Sequence, residues 1–133
     1  MVRLAIVDDD CELIELVRAT AALHGWQVQS YNRADWTLAL LRRTLPDLII
    51  LDLRLERADA GWQLFELLCL DPVVHRIPVI VCSADAVQPG QRSERMRSCG
   101  ASVLLKPFDL EELESLIRLS RHPHMQERAE NTG

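Results

Sequence analysis

The 133-residue sequence has almost no lysine, few glycines and aromatic residues, and no long hydrophobic run. Its 15 basic residues are outnumbered by 20 acidic ones, so there is no basic excess to bind the phosphate backbone of a nucleic acid. The first apolar run, Leu4–Val7, is too short for a signal peptide or a membrane span. We therefore expect a cytoplasmic protein that contacts neither nucleic acid nor membrane directly.

The four cysteines lack the spacing of a metal site or a redox motif. Cys11, Cys69, Cys82 and Cys99 are far apart, and none belongs to a C-x-x-C pair or lies beside a pair of histidines. Cys69 and Cys82 lie within apolar runs. We expect reduced thiols, and we expect these two to pack as small hydrophobic side chains.

Five short hydrophobic runs alternate with segments of helical periodicity. The runs are Leu4–Val7, Val28–Tyr31, Leu48–Leu51, Val79–Cys82 and Ser102–Leu105. Most are apolar throughout, which is typical of parallel strands covered on both faces. Five βα repeats with right-handed crossovers predict an α/β fold of the flavodoxin-like type, a doubly wound parallel five-stranded sheet with helices on both faces.

The predicted helices differ in how clearly the sequence marks them. Their expected inward-facing residues are Leu13, Leu16, Val17, Ala21 and Leu23 in the first, Trp36, Leu40, Leu41 and Leu45 in the second, and Trp62, Phe65, Leu68 and Cys69 in the third. The fourth helix, Gln91–Ser98, is polar apart from Met96, whereas Asp109 and Glu112 form a capping box for the fifth. We expect one domain over residues 1–121, a disordered polar tail over residues 122–133, and no room for an output domain.

Polar residues directly follow four of the five predicted strands. Asp8, Asp9 and Asp10 follow the first strand, Asp52 the third, Ser83 the fourth and Lys106 the fifth. In an open α/β sheet, ligands bind beyond the carboxyl ends of the strands. We therefore expect these side chains to meet in one pocket.

The acidic residues of this pocket predict a bound cation. Three adjacent carboxylates facing Asp52 would repel one another, so a proton or a cation must compensate. Oxygen ligands without histidine or cysteine favour Mg²⁺. A structural alternative is that Asp9 or Asp10 only caps the first helix, Asp9 and Glu12 having capping-box spacing. Because one helix needs one cap, the remaining acids still predict a cation.

Each of the other polar residues has a functional and a structural interpretation. A partly desolvated Asp52 beside a metal can attack phosphorus, although a strand-ending aspartate can also simply begin a turn. Ser83 could donate a hydrogen bond to a phosphoryl oxygen or form a turn. Lys106, the only lysine beside fourteen arginines, is either a chance residue or a compact ammonium suited to a phosphoryl group. The bond from Lys106 to Pro107 could be cis.

Together, the segments IVDDD, VIVCSA and LLKPFDLEEL and the strand-ending Asp52 resemble the receiver domains of two-component response regulators over essentially the whole chain. The resemblance implies that Asp52 accepts a phosphoryl group from the phosphohistidine of a sensor histidine kinase or of a phosphotransfer protein. It also implies that Ser83 and Lys106 contact the phosphoryl oxygens. Such a protein is a switch that catalyses only its own phosphorylation and dephosphorylation.

The resemblance further assigns the residues around the acceptor. Asp9 and Asp52 would bind Mg²⁺ directly, Asp8 would bind it through water, and the backbone carbonyl of Arg54 would complete the protein ligands. Arg54 and Asp85 flank the site, and they are candidates for hindering water and so for setting the lifetime of the acyl phosphate.

In this family the serine hydroxyl, here that of Ser83, moves toward the phosphoryl group and changes the surface of the fourth helix, fifth strand and fifth helix. A downstream protein or a second copy of the chain would bind that surface. Val103 occupies the strand position that usually holds an aromatic switch residue, so we expect the coupling to be altered.

Two other kinds of protein are alternatives. One is a receiver-like interaction module, or less plausibly a flavodoxin-like flavin binder, that works without phosphorylation, although no phosphate-binding loop follows the first strand. The other resembles haloacid dehalogenase phosphatases, because Asp8 and Asp10 form an Asp-x-Asp pair. Glu12 and the lack of a late acidic pair count against the phosphatase.

Overall fold

The computed structural model describes residues 2–32, 34–53, 59–84 and 90–120, which form one parallel sheet and five helices. The strands are β1 (Arg3–Val7), β2 (Gln27–Tyr31), β3 (Leu48–Asp52), β4 (Val79–Ser83) and β5 (Ser102–Leu105). The helices are α1 (Cys11–His24), α2 (Ala34–Thr44), α3 (Ala60–Leu70), α4 (Arg92–Ser98) and α5 (Leu110–Ser120). The strand order β2-β1-β3-β4-β5, with every pair parallel, confirms the predicted flavodoxin-like fold.

Alternate residues of the central strands pack into two separate cores. Val7 and Leu51 belong to the core that includes residues of α2, α3 and α4. Ile6 and Ile50 point the other way, into the core shared with α1 and α5. Because both faces of β1, β3 and β4 are covered, these strands have continuous rather than alternating hydrophobicity.

Three side chains expected to face inward lie on the surface: Leu23 and Trp36 within helices, and Leu45 directly after α2. Leu23 is 72% exposed, because it follows the buried Ala21 by two residues and so lies on nearly the opposite side of α1. Trp36 is 53% exposed, because Thr37 and Leu41, four residues apart, occupy the buried face of α2. In both α1 and α2, the predicted buried face is rotated about the helix axis relative to the observed one.

The ends of two helices follow from local sequence. α2 ends at Thr44, and the exposed Leu45 has a positive φ of 46° directly before Pro46, so its predicted place on the inner face of α2 is wrong. Oδ1 of Asp109 accepts a hydrogen bond from the Glu112 N–H at 2.8 Å, as the capping box predicts. This cap starts α5 shortly after Lys106, the residue that directly follows β5.

The four cysteines are free thiols, as expected. Cys82 is fully buried in β4, and burial raises its pKa to about 12. Cys69 is only half-buried, so its predicted packing is correct in part. Its pKa is also raised to about 12, mainly by burial and then by a hydrogen bond with Cys99. High pKa values leave few thiolates for redox chemistry at neutral pH.

Some sequence expectations concern residues outside the described ranges. These are Arg54, Asp85 and the tail over residues 122–133. Within the described ranges, no helix combines the length and the apolar character needed to cross a membrane.

Candidate functional site

The strand register brings polar residues together at the carboxyl edge of the sheet. Val7 of β1 pairs with Leu51 of β3, which places Asp8 next to Asp52. On the other side, the main-chain N–H of Lys106 donates to the Ser83 carbonyl oxygen at 2.8 Å. The predicted convergence of these strand ends at one edge of the sheet is therefore observed.

A compact cluster of three carboxylates and one ammonium group occupies this edge. Asp8, Asp9 and Asp52 each contribute a carboxylate oxygen, and these oxygens lie within 4.8 Å of one another. Nζ of Lys106 lies 3.2 Å from Oδ2 of Asp52 and 3.8 Å from Oδ2 of Asp8. Asp8, Asp52 and Ser83 are buried, whereas Asp9 is exposed. Asp8 and Asp52 thus share the ammonium group of Lys106, while Asp9 adds a third carboxylate to the cluster.

The buried Asp8 carboxylate has unequal oxygens. Oδ1 accepts a hydrogen bond from the Asp10 N–H at 2.8 Å, whereas Oδ2 is buried and has no hydrogen-bond partner in the described part of the chain. Burial raises the pKa of Asp8 to about 7, and the negative charge of Asp52 adds to this effect, while the Asp10 N–H and Lys106 oppose it. Asp8 is therefore a buried acid whose charge is incompletely compensated.

The same carboxylates also affect the pKa of Lys106. Burial favours the neutral amine and would lower its pKa, but the nearby carboxylates of Asp52 and Asp8 outweigh burial and raise it. The side chain is therefore an ammonium group at neutral pH. Its bond to Pro107 is cis.

Asp10 has a structural role that the sequence left open. Its Oδ1 accepts a hydrogen bond from the Glu12 N–H at 3.0 Å, which makes Asp10 the N-cap of α1. The structural alternative therefore holds for Asp10, while Asp9 lies in the carboxylate cluster. One helix start uses one of the three adjacent acids.

The donor atoms of the cluster fit a hard divalent cation. All three side chains offer oxygen, the ligand that Mg²⁺ prefers. The unsatisfied Oδ2 of Asp8 is a buried acceptor that a cation or its bound water would satisfy. The carbonyl of Arg54, the remaining predicted ligand, lies outside the described residues.

Gly61 is part of this site although the sequence gave it no prominence. A Cβ on Gly61 would lie 2.2 Å from the Asp52 carbonyl oxygen and 2.4 Å from the backbone of Leu53. The first turn of α3 thus packs directly on the backbone that carries Asp52. An isolated glycine at the start of a predicted helix is the only sequence feature that could have indicated this contact.

The edge strand β5 exposes apolar side chains beside α5. Val103 is 44% exposed, and Leu105 is equally exposed on the same side of the strand, while Leu104 between them is buried. On α5, Leu119 is also exposed. The strand position of Val103 thus faces solvent and offers aliphatic surface without an aromatic ring.

Asp8→Asn is expected to stabilise the fold when divalent cations are removed by EDTA. The folded-state pKa of about 7 lies above the ordinary value of about 3.9, so the charged form of Asp8 costs stability increasingly as pH rises between these values. Asparagine keeps the acceptor for the Asp10 N–H but carries no charge. We expect thermal unfolding at about pH 8 to show a midpoint raised by about 3 °C or more.

The advantage of Asp8→Asn should shrink as the pH is lowered toward 4, because Asp8 is then protonated in the folded state and the pH approaches the ordinary pKa of about 3.9 that it has in the unfolded chain. Asp10→Asn is the matched control, because it removes a neighbouring charge from an exposed capping position. If the thermal midpoint of Asp8→Asn in EDTA at about pH 8 is equal to or lower than that of the natural chain, the buried charge of Asp8 does not destabilise the fold.

Comparison with known proteins identifies relatives of the whole described domain. The family model of the response regulator receiver domain matches residues 4–118. The phosphate regulon transcriptional regulatory protein PhoB of Rhizobium meliloti is 31% identical over 119 residues, covering 87% of this chain and 50% of the relative. The regulatory protein AtoC of Escherichia coli is 31% identical over 117 residues, covering 87% of this chain and 24% of the relative. The chain spans half or less of these two relatives.

Solved structures share the fold. The N-terminal domain of a response regulator receiver protein from Methanoculleus marisnigri has a TM-score of 0.68 and 26% identity, covering 86% of this chain and 92% of that one. The receiver domain of the sensor histidine kinase PA1611 from Pseudomonas aeruginosa, which has a magnesium ion coordinated in its active site cleft, has a TM-score of 0.74 and 24% identity. That comparison covers 90% of this chain and 96% of the other.

Proposed function

Because this chain belongs to the response regulator receiver domain family, we propose that it is a switch controlled by transfer of a phosphoryl group to Asp52. The donor is the phosphohistidine of a sensor histidine kinase or of a phosphotransfer protein. The observation that carries the proposal is the placement of Asp52 at the end of a central strand, with Nζ of Lys106 3.2 Å away and Asp8 and Asp9 in the same oxygen cluster.

In the proposed reaction, the chain mainly positions the reacting groups and neutralises the charge of the transferring phosphoryl group. A carboxylate oxygen of Asp52 attacks phosphorus, the bond from phosphorus to the donor imidazole nitrogen breaks, and the imidazole leaves with the electron pair. The ammonium group of Lys106 offsets negative charge on the transferring group, and the hydroxyl of Ser83 donates a hydrogen bond to one of its oxygens. Both side chains come from strand ends on the same side of Asp52.

The three acids provide the magnesium site of the proposal. Asp9 and Asp52 would hold Mg²⁺ directly, Asp8 would hold it through water, and the Arg54 carbonyl would be the further ligand. The ion would supply positive charge that neutralises the phosphoryl oxygens during in-line attack. The unsatisfied Oδ2 of Asp8 supports this site, as does the magnesium ion described for the fold-related receiver domain of Pseudomonas aeruginosa.

Hydrolysis of the acyl phosphate resets the switch. We assign Arg54 and Asp85 to the rate of this step, because both residues flank the site in sequence and a pair between them would hinder water. Both lie outside the described residues. The lifetime of the acyl phosphate in Arg54→Ala and Asp85→Ala variants tests this assignment.

The output surface in the proposal consists of α4, β5 and α5. Movement of the Ser83 hydroxyl toward the phosphoryl group shifts β4 and these neighbouring elements. Exposed Val103, Leu105 and Leu119 supply aliphatic contact area for a downstream protein or for a second copy of the chain. Because Val103 has no aromatic ring that could rotate, the proposal is that the partner detects phosphorylation through the displaced aliphatic surface.

The proposal is tested by incubating the protein with acetyl phosphate and Mg²⁺ and measuring its intact mass. We expect one added phosphoryl group, which is lost after treatment with hydroxylamine because the product is an acyl phosphate. EDTA should prevent the addition. No added mass with acetyl phosphate, phosphoramidate or a phosphorylated kinase would contradict the proposal and favour the phosphorylation-independent interaction module.

The same preparation distinguishes the phosphatase alternative. A haloacid dehalogenase-like enzyme would release many equivalents of p-nitrophenol from p-nitrophenyl phosphate, whereas a receiver domain turns over only its own acyl phosphate. We expect no such turnover. Sustained release that depends on Asp8 and Asp10 would favour the phosphatase.

Lys106→Met is expected to slow phosphoryl transfer from acetyl phosphate by about 100-fold, because it removes the ammonium group nearest the acceptor oxygen. Lys106→Arg keeps the charge on a larger planar group and is expected to recover part of the rate. The measurement is the time course of intact mass at a fixed donor concentration. Equal rates for Lys106→Met and the natural chain would exclude Lys106 from the reaction.

A further inference from the structure

Arg92 connects the starts of two helices. It is the first residue of α4, and one of its terminal nitrogens (Nη2) lies 3.1 Å from Oδ1 of Asp59, directly before α3. Its guanidinium carbon also lies 4.8 Å from the centre of the Trp62 ring, a cation–π distance. Trp62 is itself only 8% exposed and contacts Phe65, so it is a fixed surface for the guanidinium group.

This contact spans the two loops that leave the candidate site. One loop runs from Asp52, at the end of β3, to Asp59. The other runs from Ser83, at the end of β4, to Arg92. The contact of Arg92 with Asp59 and Trp62, which we call the Arg92 bridge, therefore joins the far ends of both loops.

In the part of the chain that the structure describes, α4 is only weakly anchored. The helix has seven residues, and Met96 is its only buried side chain. Arg97 on the same helix is exposed. A short helix with one buried anchor is easily displaced, so a second anchor at its first residue has a large influence on its position.

We propose that Arg92 is a positioning residue that holds α4 in the present arrangement and that phosphorylation of Asp52 opens the Arg92 bridge. This inference rests on the proposed function. Here Nζ of Lys106 contacts Oδ2 of Asp52 directly, and a phosphoryl group bonded to that oxygen as an acyl phosphate would replace this contact. Displacement of α4 must then separate Arg92 from Trp62. Because coupling between two sites is reciprocal, weakening the bridge must favour occupation of the site.

The two halves of the Arg92 bridge contribute unequally. The Asp59 side chain is 65% exposed, and such surface ion pairs contribute little. The guanidinium group lies against a buried ring, where a cation–π contact is stronger. We therefore expect substitution of Arg92 to have a larger effect than substitution of Asp59.

The test measures binding of beryllofluoride, a mimic of an aspartyl phosphoryl group, in the presence of Mg²⁺ by ¹⁹F NMR. Arg92→Met, which retains bulk without charge, is expected to bind about fivefold more tightly than the natural chain. Asp59→Asn should have a smaller effect in the same direction, and Asp59 forms no side-chain cap that this change would remove. Arg97→Met is the matched control, since it removes an exposed charge from the same helix.

Opening of the bridge is observed separately through Trp62. In a Trp26→Phe, Trp36→Phe background, Trp62 fluorescence should change on beryllofluoride binding, and Arg92→Met should abolish most of this change. Equal affinities of Arg92→Met and Arg97→Met, or unchanged Trp62 fluorescence at full occupancy, would overturn the inference while leaving the proposed function intact. Failure of the natural chain to bind beryllofluoride or accept a phosphoryl group would overturn both.

Discussion

Asp52→Asn is expected to abolish phosphoryl incorporation from acetyl phosphate entirely. An amide oxygen is a poor nucleophile toward phosphorus, and the substitution also removes one of the three carboxylates of the proposed magnesium site. Asparagine has nearly the same shape and keeps an acceptor for Nζ of Lys106. The fold should therefore persist, and loss of one negative charge beside the buried Asp8 should slightly raise the thermal midpoint.

The matched control for Asp52→Asn is Asp10→Asn. Asp10 is the N-cap of α1, and asparagine caps helices as well as aspartate does. We expect Asp10→Asn to incorporate one phosphoryl group and to unfold at nearly the same temperature as the natural chain. A stable adduct on Asp52→Asn, measured by intact mass and located by peptide mapping, would place the acceptor on another residue.

Gly61→Ala is expected to give the largest loss of stability among the substitutions considered. The new Cβ would lie 2.2 Å from the Asp52 carbonyl oxygen, and backbone atoms cannot yield as a flexible side chain can. Alanine would otherwise improve a helix by about 1 kcal/mol, so a net loss would show that the clash dominates. We expect a free energy of unfolding lower by roughly 2 kcal/mol or more and a thermal midpoint lower by several degrees.

Because Gly61 packs on the residue that carries the proposed acceptor carboxylate, Gly61→Ala should also slow phosphoryl incorporation. Gly25→Ala is the control: Gly25 has a φ of 71° at the end of α1, and among the described residues no atom lies within 4 Å of the position of a Cβ. Alanine there should cost about 1 kcal/mol through backbone strain and leave the rate of phosphorylation unchanged. If Gly61→Ala matches the natural chain in stability and rate, the close approach of α3 to the Asp52 backbone is incorrect.

Much of the fold could be predicted from sequence because it depends on local and periodic features. The continuous hydrophobicity of Leu48–Leu51 follows from coverage of β3 on both faces, and the capping box at Asp109 follows from atoms three residues apart. Side chains near the edge of the apolar stripes were harder to place. Leu23 and Trp36 show that a helical period allows several inner faces, and only contact with a particular neighbour selects one.

The residues of the candidate site were also predictable in part. The acids after β1, Asp52 after β3 and the solitary Lys106 after β5 are marked by their positions at strand ends, and parallel strands bring such ends to one edge. Their charges then predict the chemistry proposed for the site. The sequence by itself thus determined the fold class and the collection of polar groups that meet at one edge of the sheet.

Only the tertiary structure decided how those groups divide their roles. Asp10 caps α1 while Asp8 is buried with an unsatisfied oxygen, although the two residues are nearly adjacent in sequence. The close approach of Gly61 to the Asp52 backbone and the contact of Arg92 with Trp62 each involve residues from different elements of the fold. These features depend on distances between elements far apart in sequence, which hydrophobic period and residue type do not encode and which close packing of the whole domain alone sets.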